Sequence, residues 1–389
     1  MTIRLMTAMA LILASGAAFA APEPPDLSQL AIDTADLAGW EARRAAAAEA
    51  EAAAKADLRT EEKGEAGNDA DLEATDVPEA PNPDLAEAEA KASEKQAEKT
   101  EAEKAEELPD PFLVRLQVLL DRAHVSPGVI DGLSGGNTEK AVRAFEEMRG
   151  LPVDGTVDEA VWTALSSDAG PAVKLYELTG DDVEGRYVAD IPADYGEMAK
   201  LDWLGYRGAA EMLGERFHMD EDLLRVLNPN ADFTKIGTKI LVADTGSDPE
   251  AKVARIVVDR SKGELIAYDE ADAIVLMDPA TIGSEDTPSP SGTMKVNGSA
   301  PEPTYQYDPS KNFQQGDNTR KLTIPAGPNG PVGSMWIDLS KPTYGIHGTP
   351  EPSKIDKTAS HGCVRLTNWD AEALAKLVQP GKTTVEFKG

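Results

Sequence analysis

Residues 344–368 read YGIHGTPEPSKIDKTASHGCVRLTN and hold the chain's only cysteine, Cys363, with two of its four histidines, His347 and His361. A cysteine attacks a carbonyl as thiolate, and at neutral pH it needs an adjacent imidazole to become one. Cys363 and His361 are two residues apart, so on an extended strand they point the same way. His347 ends a separate strand, and a loop of Pro, Lys, Asp and Ser brings the chain back. Gly348 and Gly362 flank the reactive candidates; glycine lets a backbone approach a substrate closely and turns its N–H toward an incoming oxyanion. The pattern suits acyl transfer by a Cys–His nucleophile. The alternative is zinc held by His347, His361 and Cys363. It lacks a fourth ligand and any CxxC or HExxH spacing, so we expect no metal and no other cofactor. His124 and His218 sit in helical units with no acidic or thiol partner at a useful spacing, and read as structural or surface histidines.

The compartment bears on that thiol. The chain opens MTIRLMTAMALILASGAAFA: one Arg, about ten apolar residues, then Ala18-Phe19-Ala20, a small-x-small cleavage pattern. The apolar run is short of the roughly 20 residues a membrane span needs. Residues 1–20 are expected to be a signal peptide, and the protein to act in the periplasm or cell envelope. No later segment is long and apolar enough to span a membrane. Exported proteins usually pair their cysteines or lack them, so a single retained thiol reads as reactive. A net charge of −31 and a pI near 4.5 argue against nucleic acid or an anionic membrane surface as partner.

Four further segments must position the chemistry. Residues 21–109 are largely Ala, Glu, Lys and Asp; their helix propensity comes without an apolar stripe, so we expect a disordered or solvated linker. Residues 110–168 contain an internal echo: VIDG precedes TEKAVRAF and PVDG precedes VDEAVWTAL, each an Asp-Gly turn leading into an amphipathic helix. Leu116, Val118, Leu119, Val142, Phe145, Val161, Trp162 and Leu165 are the expected core of this three-helix unit. Residues 172–245 read as two helices, an Asn-Pro turn in LNPN, and the strand KILVAD. From residue 251 to 389 short Val/Ile/Leu-rich strands alternate with Gly/Pro turns around one clear helix, DAEALAKLVQ, which indicates a mostly-β sandwich or barrel.

Family resemblance follows these segments. SPGVIDG, AVRAF and GLPVDGTVDEAVW resemble the peptidoglycan-binding-like domain family. LNPN and the helix-helix-strand order are similar to a LysM-type carbohydrate-binding module, although GRYVADIPADYGEMAKLDW makes its opening longer than usual. IHGT followed by SHGCVRLTN, with IVVD, TIGSEDTPSPSGTMKV and IPAGPNGPVGSMWIDLS upstream, resembles the L,D-transpeptidase catalytic domain (YkuD-like) family over 251–389. One departure is SPSG, where Thr-Pro before a small residue and Gly is the pattern.

That resemblance implies a mechanism. Cys363 is the nucleophile and His347 the base, with the Gly348 carbonyl holding the imidazole tautomer. The N–H groups of Gly362 and Cys363 line an oxyanion hole, and His361 shapes the site. Ser360, Arg365, Trp336 and Tyr344 are candidate substrate contacts, Arg365 reading equally as a structural ion pair. Asn368 reads as a helix or turn cap. The substrate implied is a peptidoglycan tetrapeptide stem. Its terminal D-Ala leaves, and an amine on another stem or an envelope protein takes the acyl group in building and shaping the cell wall. Carboxypeptidase or D-amino-acid exchange on the same site, and a binding-only protein, are the competing readings. The segment 299–331, rich in Pro, Gly and polar residues, is expected to form a lid or groove wall over Cys363.

Overall fold

A computed structural model describes residues 26–65, 108–167, 170–283, 291–311, 313–358 and 362–389. The expected signal peptide, Ser360 and His361 lie outside the described residues.

Helices Pro111–Arg122, Gly136–Arg149 and Glu159–Ser166 form the first unit. Asp110 caps the first by accepting from Phe112 N at 2.7 Å, with proline at its opening position. All eight expected core residues are buried. The sequence echo is a repeated device: buried Gln117 accepts from the backbone of Asp131 and Gly132 (3.1 and 2.8 Å), and buried Glu146 from Asp154 and Gly155 (2.9 and 2.8 Å). Each ties an Asp-Gly turn to the helix before it.

Part of the expected linker is packed rather than solvated. Helices Gln29–Thr34 and Leu37–Glu65 precede this unit. Ile32 and Leu37 are buried, Trp40 stacks on Phe112 at 5.0 Å, and Arg43 forms a fork with the Asp110 carboxylate at 2.9 and 3.0 Å. The reason is local composition: the few apolar residues of this region cluster before the Ala/Glu-rich run, where they make one small adhesive face.

In the middle module, strands β1 (Val173–Glu177) and β2 (Lys239–Ala243) pair antiparallel around helices Ala209–Arg216 and Glu221–Leu227. Asn228 of LNPN locks the last turn, donating to Leu224 O and Leu241 O and accepting from Leu241 N. Between β1 and the first of these helices, residues 180–207 carry only two short helical turns.

The C-terminal domain contains β3 (Arg255–Asp259), β4 (Glu264–Tyr268), β5 (Ile274–Pro279), β6 (Gly292–Pro301), β7 (Tyr305–Tyr307), β8 (Leu322–Ile324), β9 (Met335–Leu339), β10 (Gly345–His347), β11 (Val364–Arg365) and β12 (Thr384–Lys388). Eight of them form one sheet in the order β11-β10-β9-β6-β12-β3-β4-β5, while β7 and β8 pair apart. Two pairings are parallel, β10 with β11 and β12 with β3. Thr281, just past β5, exchanges backbone hydrogen bonds of 3.0 and 2.9 Å with Arg365 of β11, which joins the two edges of the sheet. Helix Asn368–Leu377 contributes Ala371, Leu374 and Leu377 to the core.

The three units meet around His218. His218 of the middle module contacts Asp121 of the first unit at 3.1 Å and stacks on Trp369 of the C-terminal domain at 5.2 Å. The acidic partner that His218 lacked in its own neighbourhood comes from another unit, 97 residues away.

Candidate active site

β10 and β11 run side by side and pair Ile346 with Val364 and His347 with Arg365. Ile346 and Val364 are fully buried in the core. Alternation along each strand then turns His347, Arg365 and Cys363 to the opposite face. Across β9, Trp336 lies in register with His347. Arg365, His347 and Trp336 therefore stand in one row, with Cys363 a step to the side. Trp336 stacks on the imidazole at 5.6 Å and 16°. That contact requires Gly345, because a Cβ there would fall 2.4 Å from the Trp336 ring.

His347 Nδ1 lies 2.7 Å from the carbonyl oxygen of Gly348. A carbonyl can only accept, so Nδ1 carries the proton and Nε2 is left as the base. Burial and the Arg365 charge push the imidazole down to about 3, against a smaller upward pull from Gly348. His347 is thus neutral at rest. Burial pushes the Cys363 thiol up, while the Gly345 backbone and Arg365 pull it down. Cys363 is half-buried, and its Sγ donates to Thr343 O at 3.7 Å. Thr343 holds a left-handed backbone (φ 74°) and its neighbours turn β9 into β10. Arg365 is mostly buried, its Nε has no hydrogen-bond partner, and among the described residues it forms no ion pair. The structural ion pair weighed from the sequence is not formed among them.

A cavity of about 570 Å³ opens beside this row, lined by Tyr305, Tyr307, Lys311, Lys321, Trp336 and Thr343 among others. Segment 299–331 supplies most of that lining, as a groove wall. Tyr344 does not line it; Lys341 sits over its ring at 4.6 Å in the β9–β10 turn. Gly362 is buried with φ 105°, directly before Cys363.

Asn368 corrects one expectation. Thr367 caps the helix by accepting from Asp370 N at 3.1 Å, and Asn368 is its first residue. The Asn368 side chain instead clamps the loops behind His347. Its Oδ1 accepts from Ser334 N at 3.0 Å and packs so closely on Gly348 that a Cβ there would lie 2.1 Å away. Its Nδ2 donates to the buried Glu215 carboxyl of the middle module at 2.8 and 3.1 Å. Sequence reading missed Glu215 because a lone glutamate on an amphipathic helix gives no signal.

The L,D-transpeptidase catalytic domain family matches residues 253–387 and the peptidoglycan binding domain family residues 110–165. A Bacillus licheniformis protein named as the L,D-transpeptidase YkuD is 30% identical over 173 residues, 44% of this chain and 88% of that one. The Escherichia coli K12 protein named as the L,D-transpeptidase YbiS is 28% identical over 183 residues, 46% of this chain and 59% of that one. A solved L,D-transpeptidase from Xylanimonas cellulosilytica is 16% identical with a TM-score of 0.32, covering 72% of this chain and 94% of that one. With a 30% identical relative covered almost end to end, and a Cys–His pair built on the domain that matches, the chain belongs to the L,D-transpeptidase family.

Proposed function

We propose that this protein is an exported peptidoglycan L,D-transpeptidase in which Cys363 is the nucleophile and His347 the base. The observation that carries the reading is the pairing of β10 with β11: it sets a neutral imidazole with its Nε2 unprotonated opposite Arg365, two residues from the lone thiol, and the imidazole's stacking partner Trp336 and the thiol's acceptor Thr343 both line the cleft. His347 takes the thiol proton as Sγ attacks the carbonyl of the third stem residue. Backbone N–H groups of Gly362 and Cys363 receive the oxyanion. The C–N bond to D-Ala breaks, His347 returns the proton to the leaving amine, and a thioester remains. An acceptor amine attacks that thioester, His347 takes its proton, and the thiol is restored. The amide's acyl group is kept as a thioester, so the exchange needs no nucleotide.

Arg365, buried with no anionic partner among the described residues, is suited to a substrate carboxylate, and its charge favours the thiolate while keeping His347 neutral. Trp336 holds the imidazole plane. Ser360 and His361 complete the loop entering Cys363 in this reading. The first unit and the LysM-like middle module hold the enzyme against polymeric peptidoglycan and raise the local concentration of stems. Among the described residues no helix is long and apolar enough to cross a membrane. The acceptor is a neighbouring stem or an envelope protein.

Mass spectrometry of peptidoglycan digested after incubation with wild type and with Cys363→Ala tests this. Directly linked stem dimers that need Cys363 establish a cross-linking enzyme, and D-Ala release without dimers points to a protein acceptor or to hydrolysis. Absence of any Cys363-dependent product overturns the reading.

A further inference from the structure

Between β1 and the Ala209–Arg216 helix the middle module carries a long segment with only two short helical turns, and the structure shows what it touches. The β7–β8 hairpin stands apart from the main sheet, and one side of it lines the cleft. Its Tyr307 and Ile324 are buried against Leu204, with Ile191, Tyr195 and Met198 around them. Those four partners all belong to the middle module. The Tyr195 ring meets Tyr305, Tyr307 and Phe313 edge-on, at 5.9, 5.3 and 6.1 Å. Gln315 accepts from Tyr195 N at 3.1 Å and donates to Ala193 O at 3.0 Å, and Asn318 donates to Asp194 at 2.7 Å. A backbone splice continues the seam: Leu204 N donates to Ala326 O at 2.9 Å, and Asn329 N to Leu204 O at 3.0 Å.

A two-stranded hairpin is marginally stable on its own in water. Here the covering comes from another module rather than from the sheet below. The same tyrosines, 305 and 307, face the cavity and the middle module together. A change on the module side is therefore transmitted directly to the cleft wall.

We propose that segment 188–206 of the middle module is a built-in part of the catalytic cleft, with Tyr195 as the positioning residue that holds the hairpin in its substrate-binding position. The donor stem then enters a groove whose wall is already ordered, which spares that entropy on binding. The inference rests on the transpeptidase reading above and adds that the middle module governs donor affinity.

The test is steady-state D-Ala release from a disaccharide-tetrapeptide by the full chain, comparing wild type, Tyr195→Phe and Tyr195→Ala. The ring contacts survive in Y195F, which should behave as wild type. Y195A should raise KM for the donor about tenfold, the equivalent of roughly 1.4 kcal/mol, with kcat within about twofold. Should Y195A fail to fold, Gln315→Ala with Asn318→Ala cuts the polar seam from the solvent side and carries the same expectation. Wild type active with KM unchanged in the folded variant overturns the inference and leaves the transpeptidase reading standing. Wild type without Cys363-dependent D-Ala release overturns both.

Discussion

Glu215 offers a prediction that can be worked through in numbers. It lies on the Ala209–Arg216 helix, 7% exposed, and its carboxyl accepts from Asn368 Nδ2 and from the Tyr206 hydroxyl at 3.2 Å. Burial, with Glu211 and Glu372 nearby, raises its pKa from 4.5 to about 8, against the lowering pull of the Asn368 and Tyr206 hydrogen bonds. The folded protein therefore keeps a proton that the unfolded chain releases above its ordinary carboxylate pKa. Because the folded state binds the extra proton, stability must fall as pH rises through the window from 4.5 to about 8. At about 1.36 kcal/mol per pH unit, the loss is roughly 3 kcal/mol by pH 7 and about 5 kcal/mol beyond the window. Glu215→Gln removes the proton from the linkage while keeping one side-chain oxygen that accepts from Asn368. In urea unfolding of the full chain at pH 5, 6, 7 and 8, followed by tryptophan fluorescence, the two proteins should be close at pH 5. The variant should be the more stable by about 2–4 kcal/mol at pH 8, somewhat under the linkage figure because the amide bonds less well. Asp278 and Asp370, also raised by burial, add the same slope to both proteins and cancel in the difference. Parallel pH profiles, or a variant less stable throughout, would refute the reasoning and show an ionised carboxylate sustained by its hydrogen bonds.

Two more expectations concern the catalytic row. Arg365→Gln removes the positive charge that favours the thiolate and disfavours imidazolium; the pH profile of iodoacetamide alkylation at Cys363 should move to higher pH, with the rate at pH 7 lower by about tenfold for each pH unit the profile moves, and an unmoved profile would show that the guanidinium does not act on the thiol. Gly345→Ala drives a methyl into the Trp336 ring; D-Ala release should fall by about tenfold or more at a stability cost of roughly 1–3 kcal/mol, and retained activity would show that the ring does not orient His347.

The chemistry was legible in the sequence because it is carried by rare residues at short range. One cysteine and two histidines within 25 residues, flanked by glycines, suit a Cys–His nucleophile better than a metal site before any fold is known. The strands of the C-terminal domain were equally readable, since alternation of Val, Ile and Leu is a local pattern. The same holds for the Asp-Gly turns, although not for the buried Gln117 and Glu146 that tie them down.

Long-range pairing was left to the tertiary structure. The parallel match of β10 with β11 puts Arg365 opposite His347, and the Thr281–Arg365 bridge brings the far edge of the sheet against β11. Neither follows from residue types, because register is decided by how the whole sheet closes. Asn368, read from its neighbours as a cap, joins Glu215 to the Gly348 loop across 153 positions. Residues around Trp40, read from composition as linker, are docked by the Trp40 stack on Phe112 and the Arg43 fork on Asp110. The long opening of the middle module looked like a departure from a pattern; in three dimensions it is the support of the cleft wall. Local chemistry specifies what a residue can do, and only the packing of distant segments determines which groups surround it and hence its charge, its orientation and its access to substrate.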